Sequence, residues 1–193
     1  MDMALDQMSD ISDDALLVLF ANGDRGAAHS LTSRLTPRVL AHAYRMTGNR
    51  AEAEDVAQEA MLRLWKIAPD WRQGEAKVTT WLYRVVANLC TDRLRRARLA
   101  PLEAAPEPED ERPSVVEAMQ QQARADALQA ALGELPDRQR QAVVLRHIEG
   151  LANPEIAEIM QLSVEAVESL TARGKRTLAT ALKHRQDELG YTE

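Results

Sequence analysis

Thr79-Thr-Trp-Leu-Tyr-Arg-Val-Val-Ala-Asn-Leu-Cys-Thr-Asp-Arg-Leu-Arg-Arg-Ala-Arg98 is the stretch whose reading decides the fold class. Trp81, Leu82, Val85, Val86 and Leu89 recur at helical spacing and predict an inward face. Thr79 or Thr80 offers a side-chain oxygen to cap the helix, which should reach Arg98. Arg84, Asn88, Thr91, Arg95 and Arg98 follow one another at steps of 4, 3, 4 and 3, so they line one polar stripe, with Arg93 and Arg96 beside it. Such a stripe fits a phosphate backbone. The alternative is an ordinary solvated face, against which stand four arginines within six residues and almost no acid to pair with them.

Upstream the same periodicity continues. Ser12 caps a helix through Phe20, and a second helix runs through the Leu31 to Met46 region despite Pro37. After the Gly48-Asn49 break, Val56, Ala57, Ala60, Met61, Leu64 and Trp65 form the apolar side of a helix over Ala51 to Ile67. Glu52, Asp55, Glu59, Arg63 and Lys66 lie toward its other side, and Pro69 to Lys77 reads as a polar loop.

Downstream, Pro101, Pro106, Pro108 and Pro113 alternate with Glu103, Glu107, Glu109, Asp110 and Glu111. Proline removes donors and clustered carboxylates repel, so Ala100 to Pro113 predicts a solvated linker, bounded here as 99–123. Two helical units follow from this division, 12–98 and 124–186, with no strand-like alternation and no internal repeat. In the second, a helix after Leu135-Pro136 runs through Leu145. Asn153 then caps, and Pro154 opens, a short helix to Met160. Gln161-Leu-Ser163 makes a turn, and Ser163 caps a longer helix with Val164, Val167, Leu178 and Leu182 inward. This is a helix-turn-helix pattern; its alternative is a plain helical hairpin in a bundle.

Composition agrees with an all-α chain. Aromatics are 4% of 193 residues, too few for a typical sandwich or barrel. The single Cys90 excludes an intrachain disulfide and reads as a small buried hydrophobe, with a redox-sensing thiol as the alternative. No signal-peptide or membrane-span pattern is present, so a cytoplasmic protein without membrane insertion is expected. The formal net charge of -6 argues against nucleic acid only until it is resolved along the chain. Residues 61–98 carry 9 Lys+Arg against 3 Asp+Glu, whereas 1–60 carry 5 against 10 and 99–137 carry 2 against 9. The positive charge is concentrated where the arginine stripe lies. His29, His42, His147 and His184 lack companions at metal-ligand spacing, and Asp13-Asp14 and Glu54-Asp55 diverge on their helices. No metal, no cofactor and no catalytic site is expected.

The residues resemble the extracytoplasmic-function (ECF) group of sigma-70 factors over nearly the whole chain. Ala53-Glu-Asp-Val-Ala-Gln-Glu-Ala-Met-Leu-Arg-Leu-Trp65 resembles the region 2 helix that docks on the polymerase β′ clamp helices, and Thr80-Trp-Leu-Tyr-Arg-Val-Val-Ala-Asn88 resembles the promoter-melting segment. Leu135-Pro-Asp-Arg-Gln-Arg140, Ile156-Ala-Glu-Ile-Met160 and Ser163-Val-Glu-Ala-Val-Glu-Ser169 resemble region 4, which reads the -35 element and meets the β flap. The resemblance implies that Asp55, Gln58, Glu59 and Arg63 contact core RNA polymerase. It implies that Asp70 to Lys77 is a loop receiving a base turned out of the -10 element, with Arg72, Lys77, Arg84, Asn88, Arg93, Arg95 and Arg96 on that DNA. Glu168, Ser169, Ala172, Arg173, Lys175 and Arg176 would meet the -35 element, the last two on its backbone. It implies promoter DNA and an anti-sigma factor as partners, and a stress-response setting.

Some positions depart from the family pattern. Many relatives carry a basic residue where Glu168 stands; Glu168 could accept from a cytosine amino group or pair with Arg140 or another local cation. Gln161 stands where glycine is common, which implies some backbone strain. Trp65, Trp71 and Trp81 read as core anchors, with base stacking as an alternative for Trp71. The rival readings are a ligand-sensing or dimeric helix-turn-helix regulator and a protein that titrates another factor.

Overall fold

The computed structural model describes residues 10–99 and 116–183, with the backbone alone at 97, 98 and 116–121. Eight α-helices and no strand occur among these residues, the all-α class that the periodicity predicts. Helices α1 (Asp13–Ala21), α2 (Arg25–Thr47), α3 (Arg50–Ile67) and α4 (Val78–Leu99) form the first unit. Helices α5 (Val116–Gly133), α6 (Asp137–Val143), α7 (Asn153–Met160) and α8 (Val164–Lys183) form the second. The residues Ala100 to Pro113 and Gln186 to Glu193 lie outside the described part. No described helix is long and apolar enough to cross a membrane.

The starts of the first three helices are set by short side chains that accept otherwise orphaned backbone donors. Ser12 Oγ accepts from Ala15 N at 3.3 Å, Asp24 Oδ1 from Gly26 N at 2.8 Å, and Asn49 Oδ1 from Glu52 N at 3.0 Å. Pro37 sits inside α2 on its exposed side and costs the helix one backbone bond without ending it. Helix α4 departs from the expectation of a threonine cap. It starts at Val78, whose N–H donates to Asp14 Oδ1 at 3.0 Å, and Thr79 and Thr80 fall within its first turn. The cap therefore comes from α1, not from the local sequence.

The core of the first unit is the seam of α1, α2, α3 and α4, where Leu16, Leu17, Leu31, Leu35, Val56, Leu64 and Val86 are fully or almost fully buried. Phe20 packs against Trp65 at 4.7 Å between ring centroids, and Trp71 meets the edge of Trp81 at 6.3 Å. Trp71 is thereby a core anchor. Cys90 is fully buried, and burial pushes its thiol up to about 12, which removes thiolate reactivity at neutral pH.

In the second unit α5 begins at Val116, inside the stretch expected to be linker to 123. Pro113 ends the helix-breaking run, and the following Glu, Ala, Met and Gln residues are good helix formers. Helix α6 passes into a wide π-type turn, Val144–Ile148, before Gly150 turns the chain at φ 73°. The cap of α7 is Ala152 in place of the expected Asn153; its N–H donates to Glu155 Oε2 at 3.0 Å, with Pro154 in the first turn. Gln161 adopts φ 54°, ψ 51°, so the turn carries the left-handed cost, about 1 kcal/mol, that its position implies. Ser163 Oγ then accepts from Ala166 N at 3.2 Å and opens α8. The two units pack directly, α4 against α7 and α2 against α5 and α6.

Candidate nucleic-acid and polymerase interface

The arginine stripe of α4 lies on its outer side, and most of its cations are already engaged by carboxylates. Arg93 Nη1 is 3.2 Å from Asp55 Oδ2 on α3, and Arg95 Nη2 is 3.2 Å from Asp92 Oδ1. In the preceding loop Arg72 Nη1 is 3.8 Å from Glu75 Oε1. Lys77 Nζ lies 2.7 Å from Glu155 Oε1, a short charge-assisted bond that raises the lysine pKa and lowers that of Glu155. Arg84 Nη2 donates to the Glu158 carbonyl at 3.0 Å and approaches its carboxylate at 3.3 Å. Asn88, Thr91 and Arg96 are exposed, and the Arg98 side chain lies outside the described part.

The sequence stripe thus divides into two sets. Arg93, Arg95 and Arg72 are paired within the first unit, while Lys77 and Arg84 are paired across to α7 of the second. Beside Lys77 opens a cleft of about 500 Å³, lined among others by Asp14, Gly74, Thr80, Glu155 and Glu158. Among the described residues no cluster of three or more His, Cys, Asp or Glu is placed to hold a metal ion.

On α3, Asp55, Gln58 and Arg63 are exposed and Glu59 half-buried on the side away from the core. Arg63 Nε donates to Glu59 Oε1 at 2.8 Å and holds that carboxyl below the usual range. Sequence reasoning passed over Leu62, which is 47% exposed in their midst. Its signal was an apolar side chain standing three and four residues from Glu59 and Gln58, on the polar side of the helix.

The polar side of α8 is open. Glu168, Ser169, Ala172, Arg173, Lys175 and Arg176 are all exposed. Arg173 Nη2 donates to Ser169 Oγ at 2.7 Å, and Arg176 Nε makes a long bond to the Ala172 carbonyl at 3.4 Å. The expected pairing of Glu168 with Arg140 does not form; Glu168 Oε1 accepts from Asn153 Nδ2 at 3.3 Å. What seats this helix is Gly174, another residue the sequence reading missed. It is buried against α6, where an added Cβ would lie 2.6 Å from Val143 Cγ2. Only glycine lets the two helices approach so closely.

Arg140 is unavailable to Glu168 because it is buried and spent on backbone. Its guanidinium donates to the carbonyls of Leu132 at 2.7 Å, Gly133 at 2.9 Å and Leu135 at 3.2 Å, and crosses to Met46 in the first unit at 2.5 Å. Nearby, Glu149 reaches into the first unit. Tyr83 Oη donates to its Oε2 at 2.7 Å, Arg45 Nη1 stands 3.4 Å from Oε1, and the buried His42 Nδ1 stands 3.5 Å away. Burial alone would raise the Glu149 pKa, but the His42 and Tyr83 contacts and the Arg45 charge outweigh it and hold the carboxyl low. Burial, together with the same contact to a carboxylate, drives the Tyr83 phenol well above its ordinary value.

Comparison with known proteins gives this arrangement a family. The Sigma-70 region 2 family model matches residues 31–99 and the Sigma-70 region 4 model matches residues 125–178. The chain is similar to the ECF RNA polymerase sigma factor SigM of Mycobacterium tuberculosis strain H37Rv, 38% identical over 89% of this chain and 85% of the relative. Among solved structures, it resembles CnrH in complex with the cytosolic domain of CnrY at 28% identity and TM-score 0.65, covering 89% of this chain and 97% of that one. It shares the fold of the sigma factor RpoE, solved with the anti-sigma factor NepR from Bartonella quintana, at 18% identity and TM-score 0.64, covering 81% of this chain and 96% of that one. These matches set aside the ligand-sensing regulator and the titrating protein in favour of a transcription initiation factor, a class that binds core RNA polymerase and promoter DNA and is not an enzyme. The chain belongs to the sigma-70 family, as an ECF RNA polymerase sigma factor.

Proposed function

We propose that this chain directs core RNA polymerase to promoters by reading a -35 element with α8 and a -10 element with α4 and the loop before it, and that it opens the duplex there without ATP. The observation that carries the reading is the continuous exposed set on α8, Glu168, Ser169, Ala172, Arg173, Lys175 and Arg176, on a helix-turn-helix unit joined in one chain to the cation-rich α4. Direct readout by the first four and backbone contact by the last two suit a helix lying in a major groove. On α4, exposed Asn88 lies one turn from Arg84, on the face that would receive an extruded base. Unstacking a base costs a few kcal/mol, which a receiving pocket and phosphate contacts from Arg93, Arg95, Arg96 and Arg72 can offset. Asp55, Gln58, Glu59 and Arg63, with Leu62 at the centre, supply a charged face with an apolar point for the polymerase clamp.

Under this reading residues 12–98 act as the polymerase-binding and -10 unit, and the helical unit that begins at Val116 acts as the -35 unit and meets the β flap. Family membership supports control by an anti-sigma factor, a stress-response setting and a cytoplasmic site of action as parts of this reading.

Run-off transcription with core polymerase on a promoter library tests the reading directly. Initiation at a defined subset of promoters is the expected result, and sequence-specific duplex binding without any initiation would overturn it. Asn88→Ala should lower open-complex formation about tenfold while leaving polymerase binding intact, read by permanganate footprinting and by a polymerase binding assay. Equal loss of both would point to misfolding.

A further inference from the structure

We infer that α1 positions the -10 loop through Asp14, so that a helix outside the matched region 2 segment helps to set which base the loop accepts; the inference rests on the -10 assignment made above. The region 2 model begins at residue 31, whereas α1 ends at Ala21. Both ends of the loop nevertheless rest on α1. At the upstream end the 3-10 turn Ala68–Asp70, with Ala68 buried, packs on α1. At the downstream end Asp14 Oδ1 accepts from Val78 N at 3.0 Å and fixes the first residue of α4. A carboxylate there also meets the positive end of the helix dipole.

Helix α1 is itself held firmly enough to act as that support. Leu16 and Leu17 are fully buried, and Phe20 packs on Trp65. Arg34 of α2 donates to the Ile11 carbonyl at 2.7 Å and lies 3.2 Å from Asp13 Oδ1. Asp13 and Asp14 diverge by about 100° round the helix, so the first ties α1 to α2 while the second reaches α4. The loop between the anchors has little to hold its own shape. Arg72, Gln73, Gly74 and Glu75 are exposed, Gly74 turns at φ 91°, and the 3.8 Å ion pair of Arg72 with Glu75 is a weak surface pair. Gln73, Gly74, Lys77 and Thr80 gather with Asp14 around the same cleft. In a loop with so few internal contacts, the placing of its ends decides the geometry it offers a ligand. Losing the Asp14 acceptor frays the first turn of α4 and frees the downstream end of the loop, while the core-packed middle of α4, with Asn88, keeps its place.

The test uses the full chain with core RNA polymerase and a promoter library randomised in the -10 element, read by run-off transcription. Asp14→Ala removes the acceptor and Asp14→Asn keeps it. Asp24→Ala removes the same charge and a comparable cap from α2, where Asp24 Oδ1 accepts from Gly26 N and Ala27 N. Asp14→Ala should lower the discrimination between preferred and substituted -10 bases about fivefold, with polymerase binding and -35 preference unchanged. Asp14→Asn and Asp24→Ala should both keep that discrimination, although Asp24→Ala loses as much thermal stability as Asp14→Ala. Full discrimination in Asp14→Ala, or an equal loss in either Asp24→Ala or Asp14→Asn, would overturn the inference. Asn88→Ala separates this failure from that of the underlying reading: if it leaves open-complex formation and -10 discrimination untouched, the -10 assignment is wrong whatever Asp14 does. If Asn88→Ala is defective and Asp14→Ala is not, only the role of α1 is wrong.

Discussion

The two helices proposed to meet DNA, α4 and α8, differ in what surrounds them. On α8 the polar side chains are exposed and tied only to their own helix or to Asn153 of the same unit, whereas on α4 and its loop every cation with a paired carboxylate is engaged across the turn, across the helix pair or across the units. The difference teaches that a stripe read from spacing gives the face of a helix but not its occupancy. Net charge told the same story in outline: the +6 segment has acidic neighbours on both sides in sequence, and in the fold two carboxylates of the second unit come to rest on it.

Breaking the link between the units is the most damaging test of this contrast. Arg140→Met leaves four carbonyls, three of them in buried bonds, without their donor and should cost about 3 kcal/mol, read as a lower denaturant midpoint and a larger hydrodynamic radius. An unchanged radius would show that Met46 is not held by Arg140 in solution. Next in size, Gly174→Ala forces a Cβ against Val143 and the Gln139 backbone, so α8 must shift; about 2 kcal/mol of stability should be lost, together with -35 contact. A neutral outcome by thermal denaturation would mean that α6 and α8 sit farther apart than described. Asp14→Ala removes the remote cap of α4 and should cost about 1 kcal/mol, with faster hydrogen exchange at Val78. The smallest effect is that of pH on Glu149. Its folded pKa is lowered, so its contribution is fully present above the ordinary 4.5 and is lost as pH falls through the lower folded value. Stability read by thermal denaturation should hold at pH 6 and decline as pH drops below 4.5, and Glu149→Gln should flatten part of that decline.

Much of this was legible in the sequence because it rested on local rules. The helix periods, the Ser12 and Ser163 caps, the left-handed Gln161 and the exposed α8 set all depend on neighbours within a turn or two. The failures share the opposite character. Asp14 caps α4 from 64 residues away, so nearby Thr79 and Thr80 looked like the better candidates. Arg140 looked available to Glu168, but the carbonyl of Met46, 94 residues away, together with those at the end of α5, takes up its guanidinium. Tyr83 stood within an apolar run, so periodicity could not show that it faces a second core. Helix α5 began earlier than expected because the prolines end at Pro113 while the acidic character carries on to Glu117.

The Arg93 to Asp55 pair joins the face proposed for polymerase to the face proposed for DNA, one residue on each. A partner that recruits Asp55 releases Arg93 for phosphate, and a phosphate that recruits Arg93 releases Asp55 in return. Thermodynamic linkage makes that exchange symmetric, so each ligand strengthens the other by the same factor. A pair this exposed is worth at most about 1 kcal/mol, which caps the cooperativity at about fivefold. The bridge thus acts as a small shared debt that either visitor can discharge for the other.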